Sequence, residues 1–302
     1  MNQTEAMRAY VRVAELASFT QAANNLGLPK AGVSMAVRQL EAWVGTQLLH
    51  RTTRRVHMTE DGRAFYERCK DLLADLDEAR HMFDHDTLGL RGRLRVDMSS
   101  GTAVGLVLPH LGDFLQAHPG LELELSCTDR RVDVVREGFD CVLRGGHVGD
   151  TQLVARPLGT YAMVNCASPD YLRRHGMPRD LADLERHRLV RYAATLGQTD
   201  EGFEYFDGGA WRQKPMAGAV TVNNVEAYTA ACLAGLGIIQ TPLSSVRELL
   251  QTGRLVEILP ALTAEPLPVT LLYPHRRHLP RRVQAFMGWL AELLQPSLQP
   301  LP

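Results

Sequence analysis

The 302-residue sequence has no C-x-x-C pair, no apolar run of membrane-spanning length and almost no net charge. Its five cysteines, Cys69, Cys127, Cys141, Cys166 and Cys232, are odd in number and scattered. That pattern argues against a disulfide framework and for a reducing compartment. The N-terminus lacks the cationic start and apolar core of a secretory signal, and no segment approaches the roughly 18 apolar residues of a membrane span. A soluble, cytoplasmic protein without a membrane partner is expected. Also missing are the G-x-S-x-G elbow, the phosphate-binding G-x-x-x-x-G-K-S/T loop, the H-E-x-x-H pair and any metal-spaced Cys/His cluster. An enzyme is therefore not expected, nor a resident metal or cofactor. The Gly235-Leu236-Gly237 pair reads as close packing or a helix end, and His275-Arg276-Arg277-His278 as a solvated turn.

The scarcity of net charge is the least simple of these absences. The 33 Lys and Arg nearly cancel 34 Asp and Glu, which taken whole argues against a polyanionic partner, since phosphate binding needs a local excess of cations. The charge is unevenly spread, however. Residues 1–60 hold seven basic and four acidic residues, a net of +3, while 61–90 hold four and eight, a net of -4. The remaining 22 basic and 22 acidic residues cancel. A small basic head, an acidic segment and a large neutral body result. The composition, 45% hydrophobic and 22% charged, supports a sizeable core, and the length favours two domains over one.

In the head, Met7, Tyr10, Val11 and Ala14 fall at helical spacing, and Ser18 stands as an N-cap before a second periodic stretch, Phe19 to Leu26. Gly27, Leu28 and Pro29 interrupt the pattern before a third run, Val33, Val37, Leu40 and Val44, all on one face. This is the layout of a helix-turn-helix. On the opposite side of the third helix Lys30, Ser34 and Arg38 recur every four residues, with Ala31 and Met35 beside them. Cations and a hydroxyl can reach base edges or phosphates in a major groove, and Ala or Met can meet a thymine methyl. For this helix alone, a plain solvated face is an equal reading. The next segment tips the balance. Between His50 and His57 stand Arg51, Arg54 and Arg55, and Val56 and Met58 alternate with polar neighbours as in a short strand or wing. A basic wing beside a helix-turn-helix can straddle phosphates or enter a narrow minor groove.

Phe19-Thr20-Gln21-Ala22-Ala23, Pro29-Lys30-Ala31-Gly32-Val33-Ser34, Val37-Arg38-Gln39-Leu40-Glu41 and Leu48-Leu49-His50-Arg51-Thr52-Thr53-Arg54 resemble the winged helix-turn-helix of LysR-type transcriptional regulators, and the resemblance continues over nearly the whole chain. Where the family commonly shows Ser-Gln-Pro-Ala, this chain has Pro29-Lys30-Ala31-Gly32. The resemblance implies an α/β protein with an α-rich winged helix-turn-helix at residues 1–60, a long linker and dimerisation helix at 61–90, and a two-lobed periplasmic-binding-protein-like effector domain at 91–302. Lobe I would comprise 91–158 and 267–302, and lobe II 159–266. The DNA-contacting set is then Thr20, Lys30, Ala31, Ser34, Met35, Arg38, Arg51, Thr52, Arg54 and Arg55.

In the acidic segment Phe65, Cys69, Leu72, Leu76, Ala79 and Phe83 are spaced four, three, four, three and four, the pattern of a coiled-coil seam. Thr59 can cap this helix, with Glu60 and Asp61 in its first turn. The same stripe also suits a helix packed on its own chain. The resemblance favours dimerisation, with tetramers as dimers of dimers.

From residue 91 strands and helices alternate. Leu94 to Met98, Leu121 to Leu125, Asp140 to Arg144, Ala162 to Cys166 and Ala219 to Val222 read as strands. Val104, Val107, Leu108, Leu111, Phe114 and Leu115 read as a helical stripe, and Ala227 to Leu236 as another helix. Open, largely parallel sheets are expected, with turn-rich crossings between lobes around Pro157 to Gly159 and Leu259 to Pro268. In such sheets ligands sit beyond the carboxyl ends of strands, near helix N-termini that favour anions. Ser99, Ser100, Thr102, Thr128, Arg144, Asn223 and Asn224 occupy such positions and could hold a small carboxylate, although each also suits an ordinary cap or turn. Ser100, Thr128 and Asn223 lead this set.

The expected function is a sequence-specific regulator of double-stranded promoter DNA, controlled by a small anionic effector, acting as a homodimer and homotetramer, with RNA polymerase a further partner that this role allows. Two other readings stay open. One is a small-molecule-binding or catalytic α/β module whose head only oligomerises, against which the basic wing counts. The other is a ligand-independent repressor.

Overall fold

A computed structural model describes residues 2–51, 56–80, 89–135, 137–149, 152–197, 202–275 and 279–301. The chain divides into two compact units, Met1–Arg93 with Gly120–Glu122, and Leu94–Pro119 with Leu123–Pro302.

The smaller unit opens with α1 (Gln3–Leu16), α2 (Phe19–Leu26) and α3 (Lys30–Val44). Asn2 caps α1 in a reciprocal box with Glu5, and the Ser18 hydroxyl accepts from the Gln21 N–H to start α2, as its place in the sequence predicts. The predicted face of α3 is buried at Val33, Val37 and Leu40, joined by Ala36. On α1 the buried face is Ala6, Ala9, Tyr10 and Val13, rotated by about one position from the predicted stripe because two small alanines, which carry little hydrophobic signal, face the core. A hairpin of β1 (Leu49–Arg51) and β2 (Val56–Met58) pairs His50 with His57. The long α4 (Glu60–Arg80) follows. The Thr59 hydroxyl accepts from the Gly62 N–H at 2.8 Å and donates to the Gln47 carbonyl at 2.8 Å. Tyr10, fully buried, donates to the Gly62 carbonyl at 2.6 Å and ties α1 to α4.

The larger unit begins along β3 (Arg91–Met98), followed by the short α5 (Ser100–Thr102), a π-helical turn at Ala103–Val107 and α6 (Leu108–Ala117). Next come β4 (Gly120–Cys127), β5 (Cys141–Gly145) and β6 (Leu153–Tyr161), which leads directly into β7 (Met163–Ala167). Then follow α7 (Pro169–His175), β8 (Arg191–Tyr192), β9 (Phe203–Phe206), β10 (Trp211–Lys214), β11 (Thr221–Val222) and α8 (Val225–Leu233). The chain continues through β12 (Ile239–Pro242), α9 (Leu243–Gln251), β13 (Val256–Glu257), β14 (Leu267–Pro274) and α10 (Arg281–Leu294).

The sheets are mixed rather than largely parallel. In the five-stranded sheet, ordered β4-β3-β5-β14-β6, β3 and β5 are parallel while β14 is antiparallel to both β5 and β6. The reason is topological: β6 carries the chain away from this sheet and β14 brings it back, so the two run side by side in opposite directions. The first crossing is therefore a strand, not a turn-rich loop, while the second is irregular over residues 258–266, with a turn at Pro260 and Ala261 as expected, before β14 begins at Leu267. Pro157 and Gly159 lie within β6, where the register against β14 slips between Val269 and Thr270. Proline and glycine here mark a bulge, the other position in a sheet that suits them. In the second sheet β12 and β13 flank β7, both antiparallel. Apolar clusters centred on Cys166, Val190 and Cys232 and on Tyr171, Leu184 and Phe203 fill this half.

Candidate functional site

Two places in the chain gather the predicted functional residues. On α3, Lys30, Ala31, Met35 and Arg38 are exposed, Met35 at 60%, and Ser34 is half-buried among them. Thr20, in the first turn of α2, is exposed too. The helix thus buries one side in the head and presents a row of two cations, a hydroxyl and a thioether on the other. Glu41 shows what holds the wing: its Oε1 accepts from the N–H groups of Leu48 and Leu49, each at 3.1 Å. A carboxylate bonded to two N–H groups stabilises the turn into β1. Arg51 ends β1; Thr52, Arg54 and Arg55 lie outside the described residues.

The helix α4 corrects part of the predicted dimer stripe. Cys69 is fully buried in the head core and Phe65 packs against that core, because the first half of α4 lies along α1. Burial pushes the Cys69 thiol up to about 12. These two residues are not on a free seam. Leu72, 42% exposed, and the exposed Ala79 are open, with Leu76 half-buried, while the neighbouring Leu73 is buried. Phe83 lies outside the described residues. Unforeseen from the sequence is Arg93, whose side chain is 5% exposed and pairs with Glu67 and, at 3.1 Å, with Asp71 on α4.

The body contains a cavity of about 560 Å³ between its two lobes. Ser99, Thr102, Thr128 and Arg144 line it as expected. Ser100, Asn223 and Asn224 are not among its lining residues. Asn224 instead caps α8, accepting from the Ala227 N–H at 2.8 Å, and Asn223 is exposed. The ordinary-cap reading holds for Asn224 because an acceptor at the N-cap position is drawn to the free N–H groups of its own helix. Ser99 caps α5 in the same way and bonds the Thr102 hydroxyl at 2.9 Å.

Arg144 is already engaged. It pairs with Asp97, which has no exposed surface, and donates to the Arg130 carbonyl at 3.2 Å. Asp97 also accepts from Ser126 at 2.5 Å and from Thr128 at 2.9 Å. A buried carboxylate needs such a set of donors. Next to it Asp129 reaches across: its Oδ2 accepts from the Val225 N–H at 2.9 Å, at the start of α8. The helix terminus that the sequence offered to an anionic ligand is thereby met by the chain's own carboxylate.

Several lining residues had no sequence signal. Met163, Tyr161, Tyr192 and Gln240 are brought in by β6, β7, β8 and β12. Tyr192 is pushed up to about 12 by burial and by the Asp129 carboxylate, with Arg144 opposing. Val104 and Leu106 reach the wall from the π-helical turn. Its wider spacing rotates the apolar stripe, so that Val104 and Leu108 are exposed where an α-helical pattern buries them. A local π turn is invisible to a 3.6-residue count. Among the described residues there is no cluster of metal-ligating side chains, and no helix is long and apolar enough to cross a membrane.

Comparison with known proteins follows the same division. Residues 4–63 match the family model of the bacterial regulatory helix-turn-helix protein, lysR family, and residues 88–295 that of the LysR substrate binding domain. The chain is 48% identical over 298 residues, 99% of its own length and 100% of the relative's, to an Escherichia coli protein called an uncharacterized HTH-type transcriptional regulator, YhjC. It is 35% identical to an HTH-type transcriptional repressor of Pseudomonas aeruginosa, covering 100% of this chain and 96% of the relative. Among solved structures, CrgA of Neisseria meningitidis, a LysR-type transcriptional regulator, superposes with a TM-score of 0.61 at 27% identity over 96% of this chain and 98% of CrgA.

Proposed function

Since the chain belongs to the LysR family of transcriptional regulators, we propose that residues 1–60 read a specific promoter sequence, that 61–90 join subunits, and that the two lobes of 91–302 hold a small effector. The carrying observation is the row of exposed Lys30, Met35 and Arg38, with half-buried Ser34 among them, on a helix whose other face is the head core. Such a helix supplies base-edge and phosphate contacts in a major groove, and the basic wing supplies backbone or minor-groove contacts through Arg51, Thr52, Arg54 and Arg55. Thr20 and Ala31 flank the row.

Pairing through the outer side of α4, at Leu72, Leu76 and Ala79, would set two recognition helices about one DNA turn apart. Tetramers form as pairs of such dimers in this reading, in the cytoplasm, with RNA polymerase a partner at the promoter. An effector that closes or rotates the lobes changes how the dimers bend DNA. For an anionic effector the described wall residues offer one cation, Arg144, and Asp97 already pairs with it.

The test is selection of bound fragments from random genomic DNA, followed by salt titration on the selected duplex. Affinity falls steeply with salt, and removing the Lys30 and Arg38 charges lowers the slope of log affinity against log salt by about one per lost phosphate contact. A flat salt response, or Arg54→Ala with Arg55→Ala binding like the parent, overturns the DNA assignment.

A further inference from the structure

The reading of the cavity as an effector site leaves open what kind of molecule fills it, and its polar groups differ sharply in how far they are already satisfied. Gln240 donates to Asn165 and to the Glu204 carbonyl and accepts from the Glu204 N–H. Thr229 donates to the Val225 carbonyl, and Tyr228 accepts from the Gln240 N–H. Arg144 and Thr128 are spent on Asp97. Two groups stand apart. The Asp129 Oδ1 is buried without a hydrogen-bond partner, and so is the hydroxyl of Tyr161, a residue only 5% exposed that sits beside Thr102 without a well-formed bond. Both residues line the cavity. Buried polar atoms are rarely left unpaired, and such atoms in a cavity wall mark the place of an unseen partner.

An ionised carboxylate only accepts hydrogen bonds, so the partner of Oδ1 is a donor. A second carboxylate, Glu226, also lines the cavity. Among the described lining residues the cation, Arg144, is ion-paired with Asp97, which leaves the Asp129 and Glu226 carboxylates as the other charged groups of the wall. Around these groups the wall is apolar, with Leu106, Leu143, Met163, Leu233, Leu267 and Val269. An apolar wall with few convergent polar groups is the usual form of a small-molecule site. We propose that the cavity takes a protonated amine carried on an apolar ring or chain, its ammonium donating to Asp129 Oδ1 and its body lying against the leucines and Met163. This rests on the cavity being the effector site and departs from the anionic effector that strand-end hydroxyls and a helix N-terminus suggested. Because Asp129 already bonds the Val225 N–H of lobe II from the end of a lobe I strand, the amine would sit on the residue that joins the lobes.

The experiment is calorimetric titration of the full chain with matched probes: 2-phenylethylamine, 2-phenylethanol and 3-phenylpropionate, and tryptamine, tryptophol and indole-3-propionate. The expected order in each set is amine, then alcohol, then carboxylate, with about tenfold or more between the first and last. Asp129→Asn keeps an acceptor for the Val225 N–H, so the lobe contact survives; it should weaken the amine by about tenfold or more and remove the preference over the carboxylate. Gly105→Trp places a ring at the cavity wall, where an added Cβ meets nothing within 4 Å, and should abolish binding of the amines. Any other order of affinity, or an amine affinity unchanged in Asp129→Asn, overturns the proposal. Two further outcomes separate its failure from that of the site. Carboxylates that bind best and are lost in Gly105→Trp leave the cavity as the site and refute the amine. Absence of binding by every probe, or binding unaffected by Gly105→Trp, sinks the cavity reading and the proposal together.

Discussion

The missing Cβ of Gly62 lets three elements of the head meet. Its carbonyl accepts from Tyr10, its N–H donates to Thr59, and a Cβ built on it would lie 2.0 Å from the Leu48 carbonyl oxygen. Alanine is favoured over glycine inside a helix by about 1 kcal/mol, yet a clash with backbone cannot be relieved by a rotamer and overpacking costs about 1–3 kcal/mol. The clash wins. Gly62→Ala is therefore expected to destabilise the chain by about 2 kcal/mol in denaturant unfolding, and a variant as stable as the parent would show that Leu48, just before β1, and α4 are not packed this closely. The tyrosine hydroxyl adds to the demand, because an unpaired buried donor costs about 1–3 kcal/mol. None of this was legible as chemistry in the sequence, where Gly62 is one glycine in an acidic stretch. The row on α3 was legible, because a four-residue repeat of Lys30, Ser34 and Arg38 needs only the helical period to share a face.

At the scale of elements, α4 divides its stripe between two environments. Phe65 and Cys69 belong to the head core, whereas Leu72 and Ala79 remain exposed. The heptad pattern is the same along its length, since a core helix and a coiled-coil seam both need an apolar edge, so periodicity could not divide it. If the outer half pairs with a second copy, Leu72→Glu with Leu76→Glu should weaken self-association of the full chain by at least about a hundredfold, since two leucines at roughly 1.5–3 kcal/mol each sum to about 3 kcal/mol or more. Sedimentation velocity across a dilution series reads this directly; an unchanged dimer would place the subunit contact elsewhere. The π-helical turn at Ala103–Val107 is a second element-level departure. It sets Val104 at the cavity wall, a position that an ideal α-helical stripe assigns to the core.

At the scale of the molecule, the body is interleaved. Residues 91–266 are contiguous in sequence, but their first sheet is incomplete without β14, which pairs with β6 along eight residues and with β5 along four. α10 adds Phe286, fully buried, against Phe114. A chain ending at residue 266 is therefore expected to lose cooperative thermal unfolding of the body, read by calorimetry, because an interior strand of that sheet and a core helix leave together. A retained cooperative transition would mean that lobe I stands without its returning strand.

The sequence by itself determined the helix-turn-helix, its caps at Ser18 and Thr59, the exposed row on α3 and the alternation of strands and helices, because caps and periodic faces depend on residues near one another in the chain. It also placed Ser99, Thr102, Thr128 and Arg144 at a cavity wall, since strand ends are where open sheets leave room. Only the tertiary structure decided that Arg144 is spent on Asp97, that Asp129 reaches the start of α8, and that Tyr161 and Met163 complete the wall. Those facts join residues separated by tens of positions, and the sign of the charge left facing the cavity follows from which of them meet.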